Sequence, residues 1–495
     1  MKKTIQKCLA VLLAVMLLSG LNIGSAAGET GENIPRRLSV CAQTDAVTKG
    51  FCWYTDAPAD SRVRVYNNGV DISGSLTFSG GECVEWEGAY MHKVTVTGLQ
   101  RGQTYTYEVG NGSVWSESGT FVTDDGDDTF RYIAIADVQA SSLESFQKGA
   151  ATLNAAFKTA PNAEFVVNCG DFTNDSTNEE WDYYDETFAA LNRSTTLVPV
   201  SGNHDGSGVW HWFDNMFNLD TSESVQTLNG VNYSFDYGNA HIAVLNTNDM
   251  AAVSDAQLRW LKNDLNSTDM DWKMLFIHKS PYSFGKNMKW PDGLYLREAL
   301  TAVCDETGVD LVIAGHEHLY LRTKTLYNNQ VSDTGTVYVL AGTAGTKRYE
   351  IRSFLAGTFM DTNIIGAMTV QKNGYANYWN GSDWNSTAQT NVGGCFNDVS
   401  VSGGTLTLNA YILADEKDAL GNDVITKIDS VTITKQTGQN TPAFEGDNTT
   451  SAPEYGILAV PTFLRLLIYS LTDWLPKFLW MLPNIVKVYI EEGIF

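Results

Sequence analysis

The sequence predicts an α/β core preceded by an all-β sandwich, and three features carry that prediction. Between about 130 and 350, short apolar runs alternate with stretches whose apolar residues recur at helical spacing, the pattern of strands joined by helices. Between about 35 and 123, runs rich in Val, Thr and aromatic residues alternate with turn signals, the pattern of a small β-sandwich. Five apolar runs, FRYIAIAD, AEFVVNCGD, TTLVPVSGNHD, KMLFIH and VDLVIAGHEH, are each short enough to be strands buried on both faces, and each ends in a carboxylate, carboxamide or imidazole. The 495 residues exceed the roughly 100–200 expected of one domain.

In chain order, residues 1–27 read as a secretory signal. Lys2, Lys3 and Lys7 form a basic start, LAVLLAVMLLSGL an apolar stretch, and Ser25-Ala26-Ala27 a small-residue cleavage site. The alternative is a retained anchor, for which the apolar stretch is short against a span of roughly 20 residues. Cleavage implies a secreted or cell-surface protein. In the sandwich (35–123), the expected strands are LSVCAQT, GFCWYTD, RVRVYNN, HKVTVTGL, TYTYEVG and GTFVT. The acidic DDGDD (124–128) lacks the spaced ligands of a calcium loop and reads as a solvated hinge.

The core domain is expected over 130–436. Its helices are SLESFQKGAATLNAAFKTA (142–160), DAQLRWLKNDLN (255–266) behind Ser254 as N-cap, and LREALTAVCDETG (296–308). FNDVSVSGGTLTLNAYIL and VITKIDSVTITKQ return to strand patterns and are expected to complete a second sheet. A polar linker (437–454) separates an apolar segment (455–495) interrupted by Arg465, Asp473, Lys477 and Lys487, too frequently charged to span a bilayer. Asp473, Lys477, Asn484, Lys487 and Glu491 fall roughly on one helical face, and Pro476 and Pro483 kink or split the helix. Two readings of 460–490 stand: an interfacial membrane helix, or a helix docked on its own protein or on a partner subunit.

The formal charge is −24, and loss of 1–27 removes three lysines and no acids, giving −27. Such an acidic surface argues against nucleic-acid or anionic-membrane partners. Six cysteines remain beyond residue 27. Cys41 and Cys52, on neighbouring expected strands, are a candidate pair, and Cys169 reads as a small core hydrophobe.

The strand ends carry the chemistry. They present Asp137; Asp171; Asn203, His204 and Asp205; His278; and His316 with His318. In α/β sheets, ligands gather beyond the carboxyl ends of strands. Oxygen and imidazole groups collected there suit two divalent cations among Fe, Mn, Zn and Mg. Two such cations would lower the pKa of a shared water and clamp both sides of a displacement at phosphorus. Four of the seven histidines fall in these motifs. His241 and His92 read as structural, and His211, between Trp210 and Trp212, either lines a pocket or packs.

All five motifs, in order and each at a strand end, make the chain resemble the calcineurin-like metallophosphoesterases, in particular their purple acid phosphatase branch. NYSFDYGNAHIAVLNT, QLRWLKNDL, HKSPYS and GTVYVLAGTAG add to the likeness, and GLQRGQTYTYEVG resembles the Leu-x-x-Gly-x-x-Tyr-x-Tyr segment of fibronectin type III-like domains. The resemblance covers about 35 to 436. It implies a four-layer α+β architecture, a β-sandwich flanked by helices, behind a fibronectin type III-like sandwich. It also implies that Asp171 bridges two cations, that Asp137 and His318 complete one shell, and that Asn203, His278 and His316 complete the other. His204 then acts on the phosphoryl group and leaving oxygen, with Asp205 orienting it. Many relatives carry Asp-x-His where this chain has Asp137-Val138-Gln139, and purple acid phosphatases carry a tyrosine where it has Asn174. Without that phenolate the implied metals shift away from a purple ferric site towards Fe(II), Mn, Zn or Mg. Gln139 and Asn174 are candidates for metal or substrate contact. Arg322, which with Tyr320 follows GHEH, is a candidate substrate contact, with a structural ion pair as the plainer reading.

The implied activity is hydrolysis of small phosphate monoesters. Phosphodiesters, including nucleotides or teichoic-type polymers, are the runner-up. The rivals from other classes are a surface-binding protein with a decayed phosphatase domain, and a domain that keeps metal only for stability.

Overall fold

The computed structural model describes residues 33–206, 212–225, 230–248, 254–285, 291–349, 362–372, 375–379, 384–391 and 393–437. The expected signal (1–27), His211 with Trp210, the linker from 438 on and the apolar segment 455–495 lie outside the described residues. No helix of the described residues is long and apolar enough to cross a membrane.

Two large sheets make the core. In the first, Thr129–Ile135, Phe165–Asn168 and Thr196–Pro199 run parallel and in register, Ile135 beside Asn168 beside Pro199. Their crossovers are the helices Leu143–Thr159 and Asn178–Asn192. Each helix opens on a reciprocal capping box, Ser142 with Ser145 and Thr177 with Glu180, which satisfies two N–H groups that the helix itself leaves open. The first helix matches the spacing-based expectation. Apolar spacing does not signal the second, because NEEWDYYDETFAALN is acidic and aromatic rather than clearly amphipathic. It buries Trp181, Tyr184 and Phe188.

In the second sheet, Ala240–Val244, Trp272–Phe276, Leu311–Ala314 and Val337–Ala341 are parallel neighbours. The helices Ser254–Ser267 and Pro291–Thr307 connect them. Strands Ile365–Lys372, Tyr375–Trp379 and Trp384–Asn391 extend this sheet. The later strands correct the expectation that they complete it as well. Cys395–Ser402, Thr405–Leu413 and Ile425–Thr434 join the first sheet instead, antiparallel along Thr129–Ile135. An alternating antiparallel hairpin can close the open edge of a parallel sheet while keeping one face wet, and Ile425–Thr434 alternates half-buried with exposed positions accordingly.

The N-terminal sandwich packs Arg36–Ala42, Lys49–Thr55, Ala89–Thr97 and Thr77–Trp86 over the smaller sheet containing Arg62–Asn67, Thr104–Gly110 and Gly119–Val122. Phe51, Trp53, Val65, Val96, Tyr107 and Phe121 fill the space between. The first large sheet continues into the sandwich, because Cys41 pairs with Leu197, giving ten strands in one sheet. Sequence patterning shows where strands alternate, not which edges meet. The junction is tied by Arg37, which donates to Asp182 at 2.7 Å, and by Tyr54, whose hydroxyl donates to the Asn215 carbonyl at 2.7 Å. Gly50 is required there, since a Cβ would lie 2.2 Å from the Asn218 carbonyl oxygen. The candidate Cys41–Cys52 pair does not form: Cys41 faces Gly50 and Cys52 faces Ser39, and the six cysteines among the described residues are free thiols. Burial pushes the Cys41 thiol up to about 12 and the Cys52 thiol up to about 11.

Candidate metal centre

The parallel strands of both sheets end at one edge, and the loops beyond them converge. Phe165–Asn168 is flanked by Thr129–Ile135 and Thr196–Pro199, so the turns bearing Asp171, Asp137 and Asn203 are adjacent. In the second sheet Trp272–Phe276 lies beside Leu311–Ala314, which brings His278 next to His316 and His318. The ladder runs on into the loops. Asp137 N–H donates to the Gly170 carbonyl at 2.9 Å, Gln139 N–H to the Asp171 carbonyl at 2.8 Å, and Gly315 N–H to the His278 carbonyl at 2.9 Å.

The backbone there is strained in a common way. Asp137, Gln139, Asp171, His316 and His318 have φ of 55°, 35°, 56°, 73° and 50°. Non-glycine residues avoid this region at a cost of roughly 1–3 kcal/mol each, so such a cluster marks a site held by its surroundings. Close packing does the holding. A Cβ on Gly202 would lie 2.1 Å from the Asp171 nitrogen, and one on Gly170 (φ +92°) would lie 2.6 Å from His278 Nδ1.

The ligand atoms fall into two groups sharing Asp171. Those of Asp171, His278 and His316 lie within 4.8 Å of one another, and so do those of Asp137, Asp171 and His318. Asn203 joins the first group, its Oδ1 being 3.1 Å from His278 Nε2. His278 donates through Nδ1 to the Cys169 carbonyl at 2.8 Å, and His318 through Nδ1 to the Lys347 carbonyl at 2.7 Å. Each ring thereby turns Nε2 inward, to 3.3 Å from Asp171 Oδ2 and 3.7 Å from Asp137 Oδ1. This is how metal-binding imidazoles are oriented. Asp137 Oδ1 accepts the His316 N–H at 2.9 Å, while Asp137 Oδ2 is buried with no protein partner.

Charge follows the same plan. Burial pushes the Asp137 carboxyl well above the usual range, with Asp171 adding to the effect. Burial also acts on Asp171, but the imidazole of His278, through its charge and its hydrogen bond, outweighs it together with that of His204 and holds that carboxyl below its usual range. Burial lowers His278, yet Asp171 and Asp137 outweigh it and push the ring up to about 9. Burial drives His316 well down and His318 down to about 3, which leaves both as neutral donors. A buried carboxyl held above its range, beside one held ionised by imidazoles, is a cluster that draws positive charge. The donor set and the partnerless Asp137 oxygen fit two divalent cations of the Fe, Mn, Zn or Mg class.

His204 lies at the rim, its N–H donating to Asp171 Oδ1 at 2.9 Å. The expectation that Asp205 orients its ring is corrected. His204 Nδ1 donates to the Asn174 backbone carbonyl, and the His204 carbonyl accepts the Ser176 hydroxyl at 2.8 Å. Asp205 is instead buried among backbone donors, accepting N–H from Asp171 (2.7 Å), Phe172 (2.7 Å), Gly202 (2.8 Å) and Thr173 (3.4 Å). Its carboxylate clamps the Asp171 turn to the Asn203 turn.

The Asn174 side chain turns away to donate to Asp175 at 2.8 Å, so it meets the site only through its carbonyl. For Arg322 the structural ion pair replaces the substrate contact. Its guanidinium makes a two-pronged pair with Asp429 at 2.5 and 3.1 Å, and the Tyr320 hydroxyl donates to the same carboxylate at 2.7 Å. Gln139 is 5% exposed, and neither polar atom of its side chain has a partner. His241 is structural as expected, lying 2.7 Å from Asp236 and 2.9 Å from Asp264. Sequence reasoning missed Tyr349, whose ring lies 4.5 Å from that of His318. No spacing or motif signals it.

Two family profiles match the chain: calcineurin-like phosphoesterase over residues 130–320, and purple acid phosphatase N-terminal domain over residues 35–123. Purple acid phosphatase 22 of Arabidopsis thaliana is 26% identical over 292 residues, 55% of this chain and 64% of that protein. Acid phosphatase type 7 of Mus musculus is 24% identical over 356 residues, 63% of this chain and 78% of that protein. The chain spans 64%, 32% and 40% of the first three plant relatives it matches, about a third to two thirds of their length. Among solved structures, a purple acid phosphatase from yellow lupin seeds superposes with a TM-score of 0.57 at 16% identity, over 82% of this chain and 75% of that one. PhoD superposes at 0.58 and 12% identity, over 83% and 92%. At such identities the likeness is one of fold. The chain thus carries a calcineurin-like metallophosphoesterase domain over residues 130–320, behind a purple acid phosphatase N-terminal domain over residues 35–123.

Proposed function

We propose that this protein hydrolyses phosphate esters, phosphomonoesters foremost, outside the cytoplasm. One observation carries the reading: two ligand groups from two sheets share a single buried carboxylate, Asp171. Asp137 and His318 would hold one cation, Asn203, His278 and His316 the other, and Asp171 both. Bound there, divalent cations supply Lewis acidity at phosphorus and an acidified water. The chain's own contributions are more specific. His278 and His318 are held by carbonyls in the tautomer that offers Nε2. Asp205 fixes the spacing of the Asp171 and Asn203 turns. His204, with Nδ1–H tied to the Asn174 carbonyl, presents Nε2 to a phosphoryl oxygen or to the leaving group, which it can protonate as a general acid. Export rests on the basic and apolar residues 1–27.

The test uses the purified full-length chain with Mn, Zn, Fe or Mg added separately. It compares p-nitrophenyl phosphate with bis-p-nitrophenyl phosphate and includes His204→Ala. We expect metal-dependent turnover that favours the monoester. We expect His204→Ala to keep two metals per chain and lose about 10²–10⁴ in rate. Faster turnover of the diester would replace the monoesterase reading with a phosphodiesterase. Two bound metals with no turnover of either ester would remove the enzymatic reading in favour of a binding or purely structural role.

A further inference from the structure

One side chain of the centre remains unexplained by the ligand set. Gln139 is 5% exposed, and both its Oε1 and its Nε2 are buried without a partner. A buried carboxamide offers two donors and an acceptor that normally find partners, because leaving them open is costly. The residue is held in place from both sides. Its N–H donates to the Asp171 carbonyl at 2.8 Å, and the next residue, Ala140, bridges Thr173 in the parallel sense. Its backbone sits in the left-handed region at φ 35°, as do those of Asp137 and Asp171. The simplest structural use of its amide would be donation from Nε2 to Asp137 Oδ2, two residues away. That bond is not made, and Asp137 Oδ2 is itself partnerless. An unpaired carboxylate oxygen and an unpaired carboxamide on one short loop are both accounted for by a cation that takes an oxygen from each.

We propose that Gln139 Oε1 is a ligand of the cation held by Asp137 and His318, and that it biases that position towards a hard cation such as Mn²⁺ over Zn²⁺. A neutral carbonyl oxygen suits harder ions, and an imidazole in its place would suit Zn²⁺. This rests on the two-cation reading above, and it concerns the choice of metal rather than the reaction.

The test measures binding, not turnover. Metal-stripped full-length protein is dialysed to equilibrium against Mn²⁺, against Zn²⁺ and against both. Bound metal is read by elemental analysis for wild type, Gln139→Leu, Gln139→Glu and Gln139→His, with thermal unfolding confirming that each is folded. We expect Gln139→Leu to weaken Mn²⁺ at one of two sites by about 10–100-fold and leave the other unchanged. Gln139→Glu should retain or tighten Mn²⁺, and Gln139→His should raise the Zn²⁺-to-Mn²⁺ ratio about tenfold or more. Folded Gln139→Leu with both Mn²⁺ affinities unchanged overturns the inference while leaving the two-cation centre intact. If Gln139→Leu does not fold, Glu and His variants with wild-type selectivity overturn the inference equally. Wild type that binds neither ion overturns the centre itself, and this inference with it.

Discussion

Two buried histidines, His92 in the N-terminal sandwich and His278 in the metal centre, are equally hidden and have opposite uses. His92 lies 2.8 Å from the hydroxyls of Thr55 and Ser61 and stacks on Trp53 at 5.1 Å, and burial lowers it to about 4. It is a neutral packing residue whose polar atoms are satisfied. His278 faces a carbonyl, a carboxamide and a carboxylate, and is pushed up to about 9. The backbones differ in the same way. In the sandwich, Asn68-Gly69 and Glu87-Gly88 are left-handed in exposed hairpin turns, where two-residue loops require them, and the buried Arg37 (φ 50°) is left-handed at the register shift of Arg36–Ala42. In the metal centre they sit under loops where nothing local requires them. Burial and strain mark function only where the partners are ligands and no turn explains the strain.

The sharpest way to break this contrast is Asp171→Asn. The shared carboxylate should be irreplaceable, with bound metal falling below two per chain and turnover falling ~10³-fold or more. Elemental analysis beside the p-nitrophenyl phosphate assay would show it, and two metals retained with full rate would end the bridging role. Next is Asp205→Asn, which turns a donor group towards four backbone N–H groups. Metal affinity should drop about 10–100-fold in equilibrium dialysis. Loss of rate with metal affinity intact would instead restore a direct role on His204.

On the sandwich side, His92→Phe leaves the Thr55 and Ser61 hydroxyls without their ring partner. It should cost about 1–3 kcal/mol in denaturant unfolding while metal content per folded chain stays at the wild-type value. A change in metal content would erase the distinction between the regions. The smallest effect concerns His241. Burial lowers it, but Asp236 and Asp264 outweigh burial and raise it to about 9. A folded pKa above the unfolded value means that the folded state binds the extra proton. The stabilisation is therefore complete below about pH 6.5 and is lost as pH rises through about 9. The stability gap between wild type and His241→Gln should narrow between pH 6.5 and 10, and a gap that widens would refute the assignment.

Much of the centre was legible in the sequence because strand ends in an α/β sheet are where side chains escape the core. FVVNCGD and LVIAGHEH announce both the strand and its candidate ligand. Asp205 was misread because a motif names neighbours in sequence, whereas its carboxylate answers the N–H groups of a turn some 30 residues away. For Arg322 the plainer of two readings holds, a structural ion pair, but its partner, Asp429, lies 107 residues further on and no motif names it. Tyr349 carried no signal at all.

The sequence alone determined most strand and helix periods, the two kinds of domain and the set of candidate ligands, because these follow from local alternation and from side-chain chemistry. Tertiary structure decided which edges pair, hence the ten-stranded sheet that runs from Ile425–Thr434 to Thr77–Trp86. It also decided that Cys41 and Cys52 stay apart, that Asn174 turns its carbonyl to His204, and that Gln139 is buried without a partner. Those outcomes depend on register and on contacts between residues distant in the chain, which no local pattern encodes.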